Sequence, residues 1–302
     1  MSEWPSVGVV LPTRDRPAQL RTALAAVLGQ DYPGEIHAVV VHDRSEPDQS
    51  VADPGRVRVL ANTRTAGLAG ARNTGILALR SNLVAFCDDD DVWLAEKLRS
   101  QVTALRARPG AEFASCGIFV EYGGRSSPRL AGCDQVTYAD LLRSRMMMVH
   151  SSTFLADRAA LIEGIGLLDE QIPGGQNEDW DLALRAARRY PIVHVDTPLV
   201  RVAWGASSYF SRQWESKADA LQWMLERHPD ISACRRGAAR VYGQIAFAYA
   251  CLGRRTEAGR WATRALRKNW HERRIPFALA VAVGVVSGDT VLRLLHARGH
   301  GI

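Results

Sequence analysis

The chain has 302 residues, 47% of them hydrophobic, and a formal net charge of +6. That length and apolar content exclude a disordered or fibrous chain and allow one large domain or a large one with a smaller companion. The 38 lysines and arginines are spread along the chain and thicken after Arg235, which argues against a nucleic-acid groove and for smaller anionic partners such as nucleotide phosphates or lipid headgroups.

Residues 6–11, SVGVVL, form a β-branched run that predicts a buried strand stopping at Pro12. After the loop Thr13, Arg14, Asp15, Arg16, apolar residues at Leu20, Ala23, Leu24, Val27 and Leu28 predict a helix over 17–30 that starts on Pro17. Strands follow at 36–41, ending on His42 and Asp43, and at 57–60, ending near Asn62. Residues 66–80 place glycines at 67, 70 and 75 at the start of a helix. They serve either a phosphate loop or close packing, while Arg72 and Asn73 on the first turns suit phosphate.

The apolar run Leu83, Val84, Ala85, Phe86 then breaks into Asp88, Asp89, Asp90 and Asp91 at a strand's C-terminal edge, where open α/β sheets bind ligands. Clustered carboxylates repel one another unless a cation or donors compensate, so this is either a site for a divalent ion carrying a polyphosphate or a solvated acidic turn. A helix is predicted over 93–108, a strand over 113–122, a flexible loop over 123–132 and a strand over 148–155 holding His150, Ser151 and Ser152. Met146, Met147 and Met148 either line an acceptor pocket or fill core.

Breaker-rich residues 172–176 put Glu178, Asp179 and Asp181 at a loop-to-helix junction, where acids either complement the helix dipole or act chemically. A strand pair split by Pro198 is expected over 193–202, leading into residues 204–208. Everything beyond Trp214 reads as helical, with a helix pair over 239–270 around Gly253. The run IPFALAVAVGVVSG, 275–288, is apolar nearly all round and flanked by Arg273, Arg274, Arg293 and Arg298. It is either a buried helix or dimer contact, or a shallow membrane-docking element. It is too short to span a bilayer comfortably. Five cysteines lack zinc or redox spacing, and residues 1–10 lack a signal-peptide pattern, so a cytoplasmic protein with reduced thiols is expected, with any membrane contact peripheral.

Taken in order, VVLPTRDRP, VVVHDRS, NTRTAGLAGARNTGI, AFCDDDDVW and GLLDEQIPGGQNEDWDLALR resemble the motifs of family 2 glycosyltransferases with the GT-A fold, over about residues 5–205. The resemblance implies an α/β fold: a mostly parallel, nucleotide-binding sheet flanked by helices, with an α-helical C-terminal extension. It implies a catalytic domain over 1–212, with a donor half at 1–110 and an acceptor half at 111–212, followed by a helical region at 213–302. Carried over, Pro12, Thr13, Arg14 and Asp43 would contact the nucleotide, and Arg72 its neighbourhood. Asp88 and Asp89 would lie at the ribose and diphosphate, and Asp90 with Asp88 would hold Mn²⁺ or Mg²⁺. Asp179 would be the general base and Glu178 its supporting acid. The expected activity is an inverting transfer from a nucleoside-diphosphate sugar, UDP by default, to an unidentified acceptor hydroxyl; the alternatives are a nucleotidyltransferase or a non-catalytic sugar-nucleotide or partner-binding protein. Two departures stand out. His42 precedes Asp43 where the family often has two aspartates, and Arg201, Val202, Ala203 and Trp204 replace an Arg-x-His-like segment, with His150 or Arg201 as possible substitutes.

Overall fold

The computed structural model describes residues 4–204 and 213–296. Strand β1 (Val7–Thr13) leads through a short loop to helix α1 (Pro17–Leu28) and strand β2 (Ile36–His42). Next come β3 (Val57–Ala61), α2 (Leu68–Ala78), β4 (Leu83–Phe86), β5 (Val92–Trp93) and α3 (Lys97–Arg106). The second half holds β6 (Phe113–Tyr122), β7 (Arg125–Arg129), β8 (Gln135–Val136), α4 (Tyr138–Arg143), β9 (Leu155–Asp157), α5 (Glu178–Arg189) and β10 (Ile192–Ala203). Helices α6 (Trp214–Arg227), α7 (Asp230–Ala233), α8 (Arg235–Cys251), α9 (Arg255–Lys268), α10 (Arg274–Ala282) and α11 (Gly288–His296) close the chain.

All the strands join one sheet in the order β3-β2-β1-β4-β9-β6-β10-β5, with β7 on β6 and β8 on β10. β3, β2, β1 and β4 are mutually parallel, and so is the long β6–β10 ladder; β9 enters antiparallel between β4 and β6. Helices cover both faces, which is why β1 and β2 read as unbroken apolar runs. Val10, Val39 and Val41 pack beneath α2 and α5, whereas Val9, Leu11, Ala38 and Val40 pack beneath α1 and α3, the period-two alternation of a pleated sheet. Trp180 of α5 shares the first of these cores with Leu221 and Met224 of α6 and with Val241 and Ile245 of α8, so the C-terminal helices are packed onto the sheet domain.

The glycines of 66–80 divide by role. A Cβ on Gly70 would overlap the Thr65 carbonyl, so this glycine lets the preceding loop lie against α2, and one on Gly75 would overlap the γ carbons of Val10, so that glycine lets α2 sit tightly on β1. Gly67 faces open space at φ 132° and starts the helix in a conformation that side chains disfavour. Gly75→Ala is therefore expected to destabilise the chain by about 1–3 kcal/mol through overpacking. Urea unfolding should show a lower midpoint with an unchanged slope.

Several boundaries differ from expectation. β1 runs on through Pro12 to Thr13, because the Val10 carbonyl and the Pro12 nitrogen face β4, which pairs only as far as Val10; the missing N–H forfeits no ladder bond. The helix expected from residue 93 starts at Lys97, since Val92 and Trp93 pair antiparallel with Arg201 and Val200. Residues 123–132 are largely a hairpin rather than a flexible loop: Gly123 and Gly124, at φ 56° and 75°, turn β6 into β7. The strand expected over 148–155 is a short turn at Ser151–Thr153, with only Leu155–Asp157 in the sheet. β10 is one strand with register shifts on either side of Pro198, not a pair.

The run at 275–288 is two helices' worth of chain: α10 ends at Ala282, and Gly284 at φ 82° turns the chain towards α11. Ile275 and Ala278 are buried, whereas Val283 and Val285 are 66% and 81% exposed, so the segment is buried on one side only. Arg298 and residues 205–208 lie outside the described residues. Among the described residues no helix is long and apolar enough to cross a membrane. All five cysteines are free thiols.

Candidate active site

β4 delivers the four aspartates to the sheet's C-terminal edge, between the β1–α1 loop and the turn at Ser151–Thr153. Thr13 Oγ1 donates to Asp89 Oδ2 at 2.8 Å, and Arg16 Nη1 reaches Asp89 Oδ1 at 3.2 Å and Asp90 Oδ2 at 2.8 Å. Asp88 takes a short hydrogen bond from Arg72 Nη2 and one of 3.0 Å from Ser151 Oγ, while its own backbone N–H donates to Ser152 Oγ at 3.0 Å.

Arg72 is the hub. It is fully buried in α2, and its Nη1 donates to Glu178 Oε1 at 2.6 Å while Nη2 holds Asp88 and Ser151, the latter at 2.9 Å. One guanidinium thus joins the acidic strand end to the first turn of α5, 106 residues from Arg72 itself. Its neighbour Asn73 does not face the site: it clamps Leu168 in both directions and donates to Glu170 Oε1 at 2.7 Å, fixing the segment that enters α5.

The electrostatics separate these acids. Burial works against ionisation of Asp88, but the charges of Arg72 and His150 outweigh it and hold the group below the usual carboxylate range. Asp89 and Asp90 are raised by burial and by their acidic neighbours, and Asp91 is pushed well up by burial and Asp88. Among the described residues Asp91 Oδ2 is buried with no hydrogen-bond partner, and His150 Nδ1 stands 3.6 Å from it. Ligand atoms of Asp88, Asp91 and His150 lie within 4.8 Å of one another, a hard, oxygen-rich donor set with an orphaned carboxylate oxygen that fits a divalent ion. Asp88 is common to this trio and to the expected metal pair; Asp90 lies beside it with one oxygen on Arg16.

On α5, Asp179 receives both of its oxygens' bonds from Arg145 Nη2, at 2.9 and 2.7 Å, and also caps the Trp180 N–H. Burial opposes its ionisation, but Arg145 and His150 hold it low, so it is a carboxylate at neutral pH. Glu178 goes the other way: burial and the adjacent Asp179 push it up to about 7 against Arg72. Asp181 lies one turn on, tied to Arg185 Nε at 3.0 Å and His228 Nε2 at 2.8 Å, a structural acid rather than part of the cleft.

Pro12 is buried in β1, Arg14 is exposed with Asp15 at 3.7 Å, and Asp43 Oδ1 accepts from Gly67 N at 3.0 Å and Asn62 Nδ2 at 2.8 Å. His42 is spent on its own turn, taking the Asp48 N–H at 3.2 Å and meeting Ser45 Oγ at 3.3 Å. Of the two candidates for the missing histidine, His150 stands among the carboxylates, whereas Arg201 is exposed on β10 near Glu121. Met146 and Met148 pack against core, which favours their filler role. Sequence reasoning missed Arg16, Asp91 as a donor, Ser151 and Arg145. Arg16, Asp91 and Ser151 carried a local signal, as members of the singled-out loop, the acidic run and the His150–Ser152 stretch, whereas Arg145 carried none.

Comparison with known proteins bears on the family and the fold. A family model described as glycosyl transferase family 2 matches residues 8–164. The UDP-Glc:alpha-D-GlcNAc-diphosphoundecaprenol beta-1,3-glucosyltransferase WfgD of Escherichia coli is 28% identical over 102 residues, 33% of this chain and 40% of that protein. The pre-mycofactocin glycosyltransferase of Mycobacterium tuberculosis H37Rv is 27% identical over 255 residues, 75% of this chain and 49% of that protein. The chain thus spans half or less of the length of these two relatives. Among solved structures, residues 1–349 of Staphylococcus aureus TarS in complex with UDP-GlcNAc superpose with a TM-score of 0.61 at 17% identity, covering 98% of this chain and 92% of that one. The mannosyltransferase PcManGT of Pyrobaculum calidifontis, in complex with GDP-Man and Mn²⁺, gives a TM-score of 0.57 at 18% identity, covering 92% of this chain and 86% of that one. At these identities the likeness to the solved structures is one of fold.

Proposed function

The chain belongs to glycosyltransferase family 2, and from that premise we propose that it moves a sugar from a nucleoside-diphosphate sugar to an acceptor hydroxyl, inverting the anomeric centre, with a divalent ion at the diphosphate. The observation that carries this reading is the Arg72 bridge, which ties the carboxylates of the donor edge to the acids that open α5. We assign the chemistry to residues 1–212, with the donor held by 1–110 and the acceptor by 111–212.

Asp88 and Asp90 would hold Mn²⁺ or Mg²⁺, with Asp91 and His150 as further donors within reach of Asp88. When bound, the ion neutralises charge that develops on the leaving diphosphate. Thr13 and Arg16 fix the orientation of Asp89 and Asp90 and close the nucleotide side of the cleft. Arg72, buried and permanently charged, holds Asp88 in place and keeps positive charge beside the diphosphate.

Asp179 acts as the general base, taking the acceptor's proton as its oxygen attacks from the face opposite the departing diphosphate. Glu178, partly protonated near neutrality, supports that turn without competing as a base. UDP is the default donor nucleotide: a relative's name specifies UDP-Glc and a fold neighbour is bound to UDP-GlcNAc, while another holds GDP-Man with Mn²⁺. Proton NMR of the first-formed product tests the displacement. The anomeric configuration opposite to the donor's is expected, and a retained anomer would overturn the single-displacement reading.

A further inference from the structure

The C-terminal helices enclose a surface cavity of about 820 Å³ that the chemistry above does not use. It lies between the second half of α6, α7, the first half of α8 and the second half of α9, and its whole wall comes after residue 164, where the family match ends. Four wall residues are cations: Arg235 of α8 and Arg264, Arg267 and Lys268 of α9, the arginines exposed and the lysine half-buried. Lys268 Nζ donates to the Ser232 carbonyl at 2.8 Å and Arg235 Nε to the Lys268 carbonyl at 3.4 Å, so the end of α9 is tied to the junction of α7 and α8. The Arg264 guanidinium stands 4.5 Å from the Trp261 ring centroid. That ring is 5.4 Å from the ring of Tyr242, whose hydroxyl donates to Ser232 Oγ at 3.3 Å.

The charges of this wall do not settle one another. Its one carboxylate is Glu226, and the ion pairs of the region lie elsewhere, Arg254 with Glu215 and Arg274 with Glu272. None of the four cations pairs with a carboxylate among the described residues, which leaves an excess of three positive charges. Arg264 precedes Arg267 and Lys268 by three and four residues on one helix face, where like charges cost stability. The helix dipole accounts for Arg267 and Lys268 in the last turn of α9, but not for Arg264, and Arg235 stands in the first turn of α8, where a cation opposes the dipole. An anion of several charges relieves this arrangement, and guanidinium groups favour phosphate because their fork matches its oxygens. Gln222, Ser232, Tyr242 and Trp261 add amide, hydroxyl and aromatic surface, and the volume falls within the roughly 300–1,000 Å³ of small-ligand sites.

We propose that this cavity is a second binding site, apart from the cleft at the sheet's edge, for a phosphate-bearing saccharide, with Arg235 and Arg267 on the phosphates and the aromatic wall beside the sugar. That the phosphates are carried on a saccharide rests on the transferase reading; that the cavity takes phosphate anions does not. The helices that line it are tied to α5, whose first turn carries Asp179, through Asp181 to His228 at 2.8 Å and Arg188 to Asp230 at 2.5 Å. A saccharide held here is therefore held on the same frame as the proposed base.

The test is calorimetry at constant ionic strength, with chelator present and no nucleotide, so that its outcome does not depend on donor binding. Fructose 1,6-bisphosphate should bind saturably and equally to the full chain and to Asp90→Ala, and about tenfold more weakly to Arg235→Met and to Arg267→Met, the loss of one charge-assisted contact. Glu226→Gln, which removes the wall's only acid, should bind it more tightly, and Arg255→Met, which removes an exposed cation of α9 outside the cavity, should bind it unchanged. Absence of saturable binding, or a loss in Arg255→Met equal to that in the cavity variants, would overturn the site. Binding of inorganic pyrophosphate with rejection of the sugar bisphosphate would overturn the saccharide, and trigalacturonate binding as tightly as the bisphosphate would overturn the preference for phosphate. If Arg235→Met, which gives up the bond to Lys268, disturbs the helix ends, Arg267→Met alone decides, since that side chain is exposed.

Discussion

Asp179→Asn is expected to lower turnover by about 10²- to 10⁴-fold, the range that a general base supplies, with donor affinity nearly unchanged. Asparagine keeps the shape and one acceptor oxygen for Arg145 and for the Trp180 N–H, but it cannot take a proton. Steady-state kinetics against calorimetric donor binding separates the two quantities, and an equal loss of both would make Asp179 structural. The pH profile gives a second reading. Arg145 lowers the proton affinity of Asp179, so Arg145→Met should raise it and move the acid limb of kcat/KM to higher pH. An acid limb that stays where it was would detach that limb from Asp179.

Arg72→Met is expected to destabilise the fold by about 3–5 kcal/mol, the usual loss when one partner of a buried ionic network is removed, and to abolish metal-dependent donor binding. Arg72 is the only cation that meets both Asp88 and Glu178 among the described residues; without it the two carboxylates face each other unscreened. The pH dependence follows in sign. Removing the cation raises the folded-state pKa values of Asp88 and Glu178 above their unfolded values, so stability is lost as pH rises through the raised values. The deficit should be larger at pH 8 than at pH 5, as read from urea midpoints. A deficit that is the same at both would mean that the lost energy is packing rather than charge.

How far this site was legible in the sequence depends on distance along the chain. β1, β2, β3, β4 and β6 could be read because each is an apolar run between breakers, and α5 because its acids follow a glycine-rich stretch. β5 and β9 have two and three residues and owe their existence to partners far away in sequence, Arg201 with Val200 for β5 and Phe113 with Ala114 for β9. The β6–β7 hairpin was in principle readable, since adjacent glycines are the signature of a two-residue turn. In the site, Asp88 to Asp91, Glu178 and Asp179 were visible as local clusters, and Arg72 as a charge on a helix's first turns. That Arg72 is buried between two carboxylates was not visible, because its partners lie 16 and 106 residues away. Arg145 carries no local mark at all: it follows α4 in an ordinary basic stretch, and only the folded chain sets it on Asp179. The same holds for Arg240, whose guanidinium lies over the Trp180 ring with Nε and Nη2 unbonded among the described residues, a property of its surroundings rather than of its neighbours in sequence.

Calorimetric titration of UDP, GDP, dTDP and CMP, each with and without Mn²⁺, bears most directly on nucleotide-sugar chemistry at the acidic strand end. One nucleoside diphosphate, UDP in the first instance, should bind only with the metal present, and the binding should vanish in Asp90→Ala. If none of the four binds in a metal-dependent way, Asp88 to Asp91 are an acidic turn and the proposed transfer chemistry falls with them.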